Sequence, residues 1–270
     1  MTSESPSSIP DISGEGTAPE KRATDLYDES YYEAYGPRDE AGKLLSPPYR
    51  RGEPHWQEFF GAIAEKIIEQ IRPQTVLDAG CAIGFLIEEL RERGVDARGV
   101  DVSAWAIEQV PDTLRAYCRV GLLTEELDRD YDLIVCTEVL EHMPGHEAEA
   151  AVANLCRHSD TILFSSSPDD FEEPTHLNVQ PSDYWIGLFA AHGFFRNLHH
   201  DASYVAPHAV LLERQSWSVV DVATSYERAW WQADRTAHGA RASRDLLAHQ
   251  LEVTRDRLDI VRSQLESVTT

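Results

Sequence analysis

The sequence predicts an α/β fold with a mostly parallel sheet, an antiparallel hairpin at the C-terminal end of that sheet, and a helical extension. Short apolar strands alternate with helical periodicity from residue 56 to residue 193, the order that builds a parallel sheet with helices on both faces. Two further apolar segments follow with no helix between them, which predicts the hairpin. Beyond residue 226, apolar residues recur at alternating steps of four and three, as in a coiled coil.

Composition divides the chain into three parts. Residues 1–23 are rich in Ser, Pro, Gly and acidic residues and have no apolar period, which predicts a disordered tail. Residues 24–214 form the predicted α/β domain, and residues 215–270 form the helical extension. An aromatic cluster at the start of the domain is predicted either to cover the site as a helical lid or to pack as an ordinary helix: Tyr27, Tyr31, Tyr32 and Tyr35.

The individual elements follow from apolar periodicity and from helix-stop signals. Pro73 ends the first helix, Gly94 ends the second, and Pro181 opens the last helix before the hairpin. The predicted helices cover residues 56–71, 83–93, 103–110, 147–158 and 182–193. The predicted strands cover residues 75–78, 97–101, 117–122, 131–136 and 161–165, with hairpin strands near 194–200 and 204–213. Right-handed crossovers place the carboxyl ends of the parallel strands at one edge of the sheet, where ligands bind.

A glycine-containing loop follows the first strand. Residues 78–84 read DAGCAIG, and small residues suit a sharp turn that passes close to a ligand. The second strand ends at Asp101, a carboxylate that can accept hydrogen bonds from both hydroxyls of a ribose. A dinucleotide site would require glycine at the positions of Ala82 and Phe85, so a pyrophosphate would lack its usual cradle.

These motifs resemble those of class I S-adenosylmethionine-dependent methyltransferases, although Ala82 replaces a glycine of the usual pattern. Residues 132–142, DLIVCTEVLEH, are similar to the fourth-strand motif of the same superfamily. The resemblance implies a Rossmann-like sheet and S-adenosyl-L-methionine (S-adenosylmethionine) as the cofactor. The family often has an acidic residue near 121–122, which this chain lacks. The implied cofactor contacts are Asp78, Gly80, Cys81, Ala82, Gly84, Asp101, Val102, Gly121, Leu122 and Thr137.

The domain also resembles bacterial methyltransferases found among polysaccharide and glycan genes. Three segments carry this resemblance: 27–32 (YDESYY), 165–170 (SSSPDD) and 174–181 (PTHLNVQP). It implies O-methylation of a sugar or glycan hydroxyl. Two alternatives remain open, namely methylation of a small metabolite or amino sugar and a non-catalytic cofactor-binding module of a glycan assembly.

A hydroxyl acceptor requires a base, and histidine is the usual one. His142 follows the fourth strand and His176 follows the fifth, so either is a candidate for catalysis, with a structural hydrogen bond as the alternative for His142. The pair at 199–200 is placed on the sixth strand or at its end, with side chains on opposite faces, and is not predicted to act as the base. Candidate substrate contacts are Glu138, Glu141, Tyr32, Arg50 and Arg51.

Charge and cysteine usage limit the partners. The chain has 47 acidic and 24 basic residues, a formal charge of −23 that disfavours nucleic acid and anionic membrane surfaces. The sequence contains no apolar segment long enough to span a membrane and no signal-peptide pattern, and its four separated cysteines fit reduced thiols, so a cytoplasmic protein is predicted. Pro144 and Gly145 prevent His142 and His146 from sharing one helix face, and no metal is predicted.

The C-terminal extension is predicted to associate through a heptad seam over residues 226–265. We expect a homo-oligomer, most simply a dimer, or docking onto the coiled coil of a partner. A single helix that folds back onto the domain is the alternative. The seam comprises Tyr226, Trp230, Ala233, Ala237, Ala240, Arg244, Leu247, Leu251, Thr254, Leu258, Val261 and Leu265.

Overall fold

The computed structural model describes residues 26–36 and 44–268, with side chains up to residue 241 and at 243, 244, 247 and 250 beyond it. The predicted tail at 1–23 lies outside the described residues. So do the side chains of the last five residues of the predicted heptad seam.

Seven strands of the described chain form a single sheet. They are β1 (Thr75–Ala79), β2 (Asp96–Asp101), β3 (Cys118–Val120), β4 (Leu133–Thr137), β5 (Thr161–Ser165), β6 (Phe194–Arg196) and β7 (Val210–Arg214). Their spatial order is β3-β2-β1-β4-β5-β7-β6. The first five strands are parallel, and β7 runs antiparallel to both β5 and β6. The predicted fold class is therefore confirmed, and the strand order reverses between β1 and β4, where such sheets bind ligands.

Eight α-helices are described around this sheet. They are α1 (Glu29–Ala34), α2 (Pro54–Lys66), α3 (Phe85–Glu92), α4 (Ala104–Gln109), α5 (Asp112–Arg115), α6 (Gly145–His158), α7 (Ser182–Ala191) and α8 (Val219–Val268). Local signals explain several starts: the Asp28 side chain accepts hydrogen bonds from the backbone N–H groups at the start of α1, and Ser103 caps α4. A π-helical turn, Ile67–Ile71, extends α2 toward Pro73. The one-turn helix α5 was not predicted, because four residues are too few for an apolar period.

Apolar side chains cover both faces of the sheet. On one face, α6 and α7 contribute Leu155, Trp185 and Phe189 to a fully buried cluster. On the opposite face, α2 and α3 bury Ile63 and Ile87 against the strands. The central strands are buried on both sides, which explains why they read as continuous apolar runs rather than as an alternation.

The hairpin strands are shorter than predicted, because side chains of the connecting loop cap the backbone. Asn197 accepts a hydrogen bond from the His199 backbone N–H at 2.9 Å, which favours a turn directly after β6. His199 and His200 therefore lie in the loop and not on the strand or its end, so the prediction that they point to opposite faces of a strand was wrong. Nε2 of His200 lies 3.2 Å from the hydroxyl of Tyr204.

The predicted helical extension is present as α8, a single helix of 50 residues. Trp217 stacks on Phe195 of β6, with ring centroids 5.3 Å apart, just before the helix begins. Within the described part of the chain, no helix has the length and apolar character needed to cross a membrane.

Candidate functional site

The loop from β1 to α3 lies against the end of β2. The backbone N–H groups of Gly80 and Cys81 both donate to the carbonyl oxygen of Val100, at 2.8 and 3.2 Å. A Cβ atom at Gly80, where φ is +95°, would overlap the side chain of Val139 in the turn after β4. Glycine is thus required at this point, because the loop must pass directly over the neighbouring turn.

Asp101, at the end of β2, is the polar centre of this loop. Its Oδ2 accepts a hydrogen bond from the Ala82 N–H at 2.7 Å, and its Oδ1 accepts one from the Ser103 N–H at 2.8 Å. Each carboxylate oxygen keeps a further acceptor position, so Asp101 can still receive two ribose hydroxyls. This geometry fits the ribose contact predicted from the sequence.

Asp78 lies behind Asp101 and is also buried. Burial, and after it the charge of Asp101, raises the pKa of Asp78 to about 7. A ligand that brings positive charge would stabilise both carboxylates in their ionised form. S-Adenosylmethionine carries an ammonium and a sulfonium group, so the donor set formed by the loop, Asp78 and Asp101 fits this cofactor.

The remaining predicted cofactor contacts also lie at the carboxyl edge of the sheet. Thr137 is the last residue of β4, and Val102 follows β2 within the aromatic cluster. The Gly121 N–H donates to the Asp101 carbonyl oxygen at 2.9 Å. Next to it, the Leu122 N–H lies 3.4 Å from Oε2 of Glu125, so an acid that sequence comparison missed at 121–122 reaches this place from three residues further on.

Cys81 contributes to the loop through its backbone. Its sulfur lies where a Cβ atom of Gly99 would be, and its thiol is hydrogen-bonded with that of Cys118. The side chain is therefore turned into the core beneath β2, away from the ligand side predicted for it.

The N-terminal helix α1 covers the loop from above. Tyr32 stacks on Trp105 of α4, with ring centroids 5.2 Å apart, and on Tyr49 at 5.8 Å. The Ser103 hydroxyl donates to the backbone oxygen of Tyr27. Partly buried Ala82 packs against the same aromatic cluster, so Tyr32 lies over the cofactor loop, while its predicted substrate contact stays a prediction.

His142 and His176, the two predicted bases, meet beneath this helix. Their ring centroids are 4.6 Å apart, and the edges of Tyr27 and Tyr31 pack against His142 at 5.6 and 6.3 Å. Nδ1 of His142 lies 3.2 Å from the carbonyl oxygen of Thr175, to which it can donate. Burial, and then the charge of His176, lowers the pKa of His142 to about 4, so this ring is neutral at physiological pH.

Glu138 immediately follows β4 and is paired with a histidine that sequence reasoning missed. Its Oε1 lies 2.9 Å from Nε2 of His208. His208 precedes β7, and because β7 runs antiparallel to β5, its start lies at the carboxyl edge of the parallel strands. The sequence offered one available signal, a histidine just before the second hairpin strand, but its partner is distant along the chain.

Glu141 is fully buried and joins two loops. Its Oε1 accepts a hydrogen bond from the Ser167 N–H at 3.1 Å, and its backbone oxygen accepts one from the Asn178 N–H at 2.8 Å. Burial, and then the charge of Glu138, raises the pKa of Glu141 to about 8. The structure therefore does not expose this side chain for the predicted substrate contact, because it holds the loop after β5 in place instead.

The two predicted arginine contacts already have carboxylate partners. Arg50 is largely exposed and pairs with Glu53 at 2.8 Å. Arg51 pairs with Glu88, donates to the carbonyl oxygen of Ile83, and lies 4.4 Å over the ring of Phe85. Arg51 thus fixes the start of α3 beside the glycine loop, and neither arginine is grouped with the histidines.

The comparison with known families agrees with this geometry. The profile of a methyltransferase-domain family matches residues 50–254. The chain belongs to this family. Such methyltransferases use S-adenosylmethionine, which confirms the predicted enzyme class and cofactor.

Curated relatives of this methyltransferase match over part of their length. The ubiquinone biosynthesis O-methyltransferase of Nitrosomonas europaea is 28% identical over 156 residues, covering 53% of this chain and 62% of the relative. Its counterpart in Neisseria meningitidis is 30% identical over 120 residues, covering 40% and 50%. The chain thus spans less than two thirds of either relative.

Solved methyltransferase structures are also similar to the chain. The magnesium protoporphyrin IX methyltransferase of Synechocystis, with bound S-adenosylhomocysteine, has a TM-score of 0.48 and 19% identity, covering 59% of this chain and 83% of the other. An amino pentose methyltransferase from Micromonospora echinaspora has a TM-score of 0.47 and 15% identity, covering 61% and 93%.

Proposed function

We propose that this methyltransferase methylates a hydroxyl oxygen of an uncharged small molecule or sugar. The observation that carries the proposal is the grouping of histidines and carboxylates beside the cofactor loop. Its curated relatives are O-methyltransferases by name, which supports an oxygen acceptor. When bound, S-adenosylmethionine supplies a methyl group already activated by the sulfonium charge.

The protein must align the acceptor, exclude water and receive a proton. The tyrosines of α1 provide apolar cover above the cofactor loop, and His142 packs beneath them. A sugar hydroxyl is a weak nucleophile until a base takes its proton, and histidine suits that role near neutral pH. The role of His142 or His176 as base stays a prediction.

The charge around the histidines favours an uncharged acceptor. Burial raises the pKa of Tyr35 above its usual range, and four nearby carboxylates raise it further: Glu138, Glu141, Glu173 and Asp170. We call these four residues the acidic cluster. Glu138 pairs with His208 and Asp170 with His176, rather than with a lysine or an arginine. An acceptor that carries phosphate would be repelled here, so a free sugar, a glycan end or a phenol fits better than a nucleotide-activated sugar.

The same acidic cluster supports a second candidate, N-methylation of an amino sugar or another amine. An ammonium group is attracted by carboxylates, and loss of one proton makes its nitrogen a good nucleophile. Amine acceptors need a weaker base than hydroxyls do, so the histidine variants separate the two candidates. Loss of the base should slow oxygen methylation far more than nitrogen methylation.

The test uses methyl-labelled S-adenosylmethionine and a set of acceptors: a methyl glycoside, a catechol, an amino sugar and a nucleotide-activated sugar. We expect label on the uncharged hydroxyl compounds. In parallel, Asp101→Ala should weaken cofactor binding at least about tenfold in calorimetry, because losing a charged hydrogen-bond acceptor costs roughly 1.5–3 kcal/mol. Asp112→Ala, at an exposed position on α5, is the matched control.

The outcomes separate the candidates. Label on the amino sugar alone favours N-methylation, and label on the nucleotide-activated sugar alone contradicts the argument from the acidic cluster. Cofactor binding without transfer to any acceptor would favour a non-catalytic binding module over an enzyme acting on these substrates.

A further inference from the structure

Glu138 and His208 are brought together from two different strands. Glu138 is the first residue after β4, and His208 lies two residues before β7. Both strands are joined through β5, in which Ser165 pairs with Thr137 and Phe164 pairs with Val210. The Glu138–His208 pair therefore lies across the end of β5, at the sheet edge that carries the cofactor loop.

The hydrogen bond between the two residues determines which ring nitrogen is available. Nε2 of His208 lies 2.9 Å from Oε1 of Glu138, so its N–H donates to the carboxylate and the proton-free nitrogen is Nδ1. Among the residues that the structure describes, Nδ1 of His208 has no hydrogen-bond partner, and the side chain is 24% exposed. Nδ1 can therefore accept a proton from a small molecule at this edge.

Glu138 is held in place from both sides. Its φ of +54° is a left-handed conformation that costs a non-glycine residue about 1–2 kcal/mol, and such strain concentrates at functional sites. On the side away from His208, buried Glu141 is hydrogen-bonded with the Glu138 side chain. Oε2 of Glu141 finds no other partner among the described residues, which fits a neutral carboxyl group that shares its proton with Glu138.

The other two histidines lack this arrangement. Nδ1 of His142 faces the Thr175 backbone, and the ring is enclosed by tyrosines. Nδ1 of His176 lies 2.8 Å from the Asp170 carbonyl oxygen, while the Asp170 carboxylate is 3.8 Å away. An imidazolium formed on either ring would have no carboxylate in direct hydrogen-bond contact. One formed on His208 would have Glu138.

We infer that His208 is the base that takes the proton from the acceptor, and that Glu138 positions its ring. This inference rests on the proposed function. As the acceptor oxygen bonds to the methyl carbon, the bond between that carbon and the sulfonium sulfur breaks, and its electron pair returns to sulfur to give a neutral thioether. The hydroxyl proton passes to Nδ1 of His208, and the Glu138 carboxylate stabilises the imidazolium through Nε2–H.

The test compares His208→Gln with His200→Gln in the full chain, with the methyl glycoside and the catechol as probes. His200 lies in the same loop and also makes a hydrogen bond, so its replacement controls for structural loss. His208→Gln should lower kcat about a hundredfold or more while KM and the calorimetric cofactor affinity change little. It should also abolish the rise of kcat with pH near the range of histidine titration, whereas His200→Gln should keep it.

Glu138 is tested as a positioning residue. Glu138→Gln should lower kcat with little change in KM, and Glu138→Asp should restore part of kcat because it returns a carboxylate. Thermal unfolding of each variant shows whether the fold is kept.

Two results would overturn the inference, and they are distinguishable. If the wild type transfers methyl and His208→Gln retains both kcat and its pH profile, the inference fails alone. If the wild type binds the cofactor but methylates no probe, the proposed function fails and the inference fails with it.

Discussion

At the residue scale, Ala82 stands in the glycine loop with a left-handed backbone. Its φ is +45°, yet its N–H makes a short hydrogen bond to Asp101, so the tertiary contact holds an unfavourable conformation. Glycine would adopt this φ without steric cost. Ala82→Gly should therefore raise the free energy of unfolding by about 1 kcal/mol, as measured by urea denaturation.

The matched control is Ala153→Gly in the middle of α6, where helical φ favours alanine. That variant should lose roughly 0.5–1 kcal/mol of stability. If Ala82→Gly is destabilised as much as Ala153→Gly is, the left-handed strain at position 82 is not a significant cost.

Buried Asp78 predicts a pH dependence of stability. The folded-state pKa is raised from 3.8 to about 7, chiefly by burial. Below about pH 4 the group is protonated in both the folded and unfolded states, and above about pH 7 it is ionised in both. The folded state binds the extra proton between these limits, so the free energy of unfolding should fall as pH rises through this window.

Asp78→Asn should remove this loss. It should be more stable than the wild type near pH 8, by about 4 kcal/mol as an upper bound at about 1.4 kcal/mol per pKa unit, and similar to it near pH 4. Thermal unfolding without cofactor measures the difference. The same variant should bind S-adenosylmethionine more weakly, since it lacks the charge proposed to face the ammonium group. Equal pH slopes for the two proteins would contradict the assignment.

At the element scale, α1 joins the cofactor loop to the histidines. One side of this six-residue helix stacks on Trp105 and Tyr49, while Tyr27 and Tyr31 pack on His142. Removing residues 1–36 should lower stability by about 3 kcal/mol or more, because buried aromatic contacts are lost. It should also weaken S-adenosylmethionine binding in calorimetry about tenfold, since the loop loses its cover.

Removal of residues 1–25 alone is the control, because it leaves α1 intact. It should retain both stability and cofactor affinity. Unchanged cofactor affinity after the longer deletion would mean that α1 only packs on the domain, which is the alternative that the sequence left open.

At the scale of the whole molecule, α8 extends as a long helix with exposed apolar residues. Trp230 and Trp231 are 61% and 55% exposed, and Leu247 is 59% exposed. A solvated helix with such side chains gains stability when it finds a partner. Trp230 and Leu247 belong to the predicted heptad seam, so we propose that α8 mediates self-association, with a coiled-coil partner as the alternative.

Light scattering of the full chain against a chain ending at Ser218 tests this proposal. The shorter chain keeps Trp217, whose ring stacks on β6. We expect a dimer for the full chain and a monomer for the shorter one. A monomer in both cases would rule out self-association through α8, and a dimer in both would place the interface on the α/β domain.

Local sequence patterns determined the fold and the cofactor side of the site. Periodicity identified every strand and the long helices, because a strand or helix repeats its apolar residues every two or 3.6 positions. The glycine loop and Asp101 were readable for a similar reason: Gly80 and Gly84 lie next to the strand they follow, and parallel topology brings the ends of β1 and β2 to one edge.

Only the tertiary structure decided the acceptor side. His208 meets Glu138 across 70 positions of sequence, and no periodicity links them. The buried state of Glu141 likewise depends on which loop covers it, since its hydrogen-bond partner Ser167 follows a different strand. Short-range spacing determines elements and their order, whereas the partner of a polar side chain depends on how distant loops pack at the sheet edge.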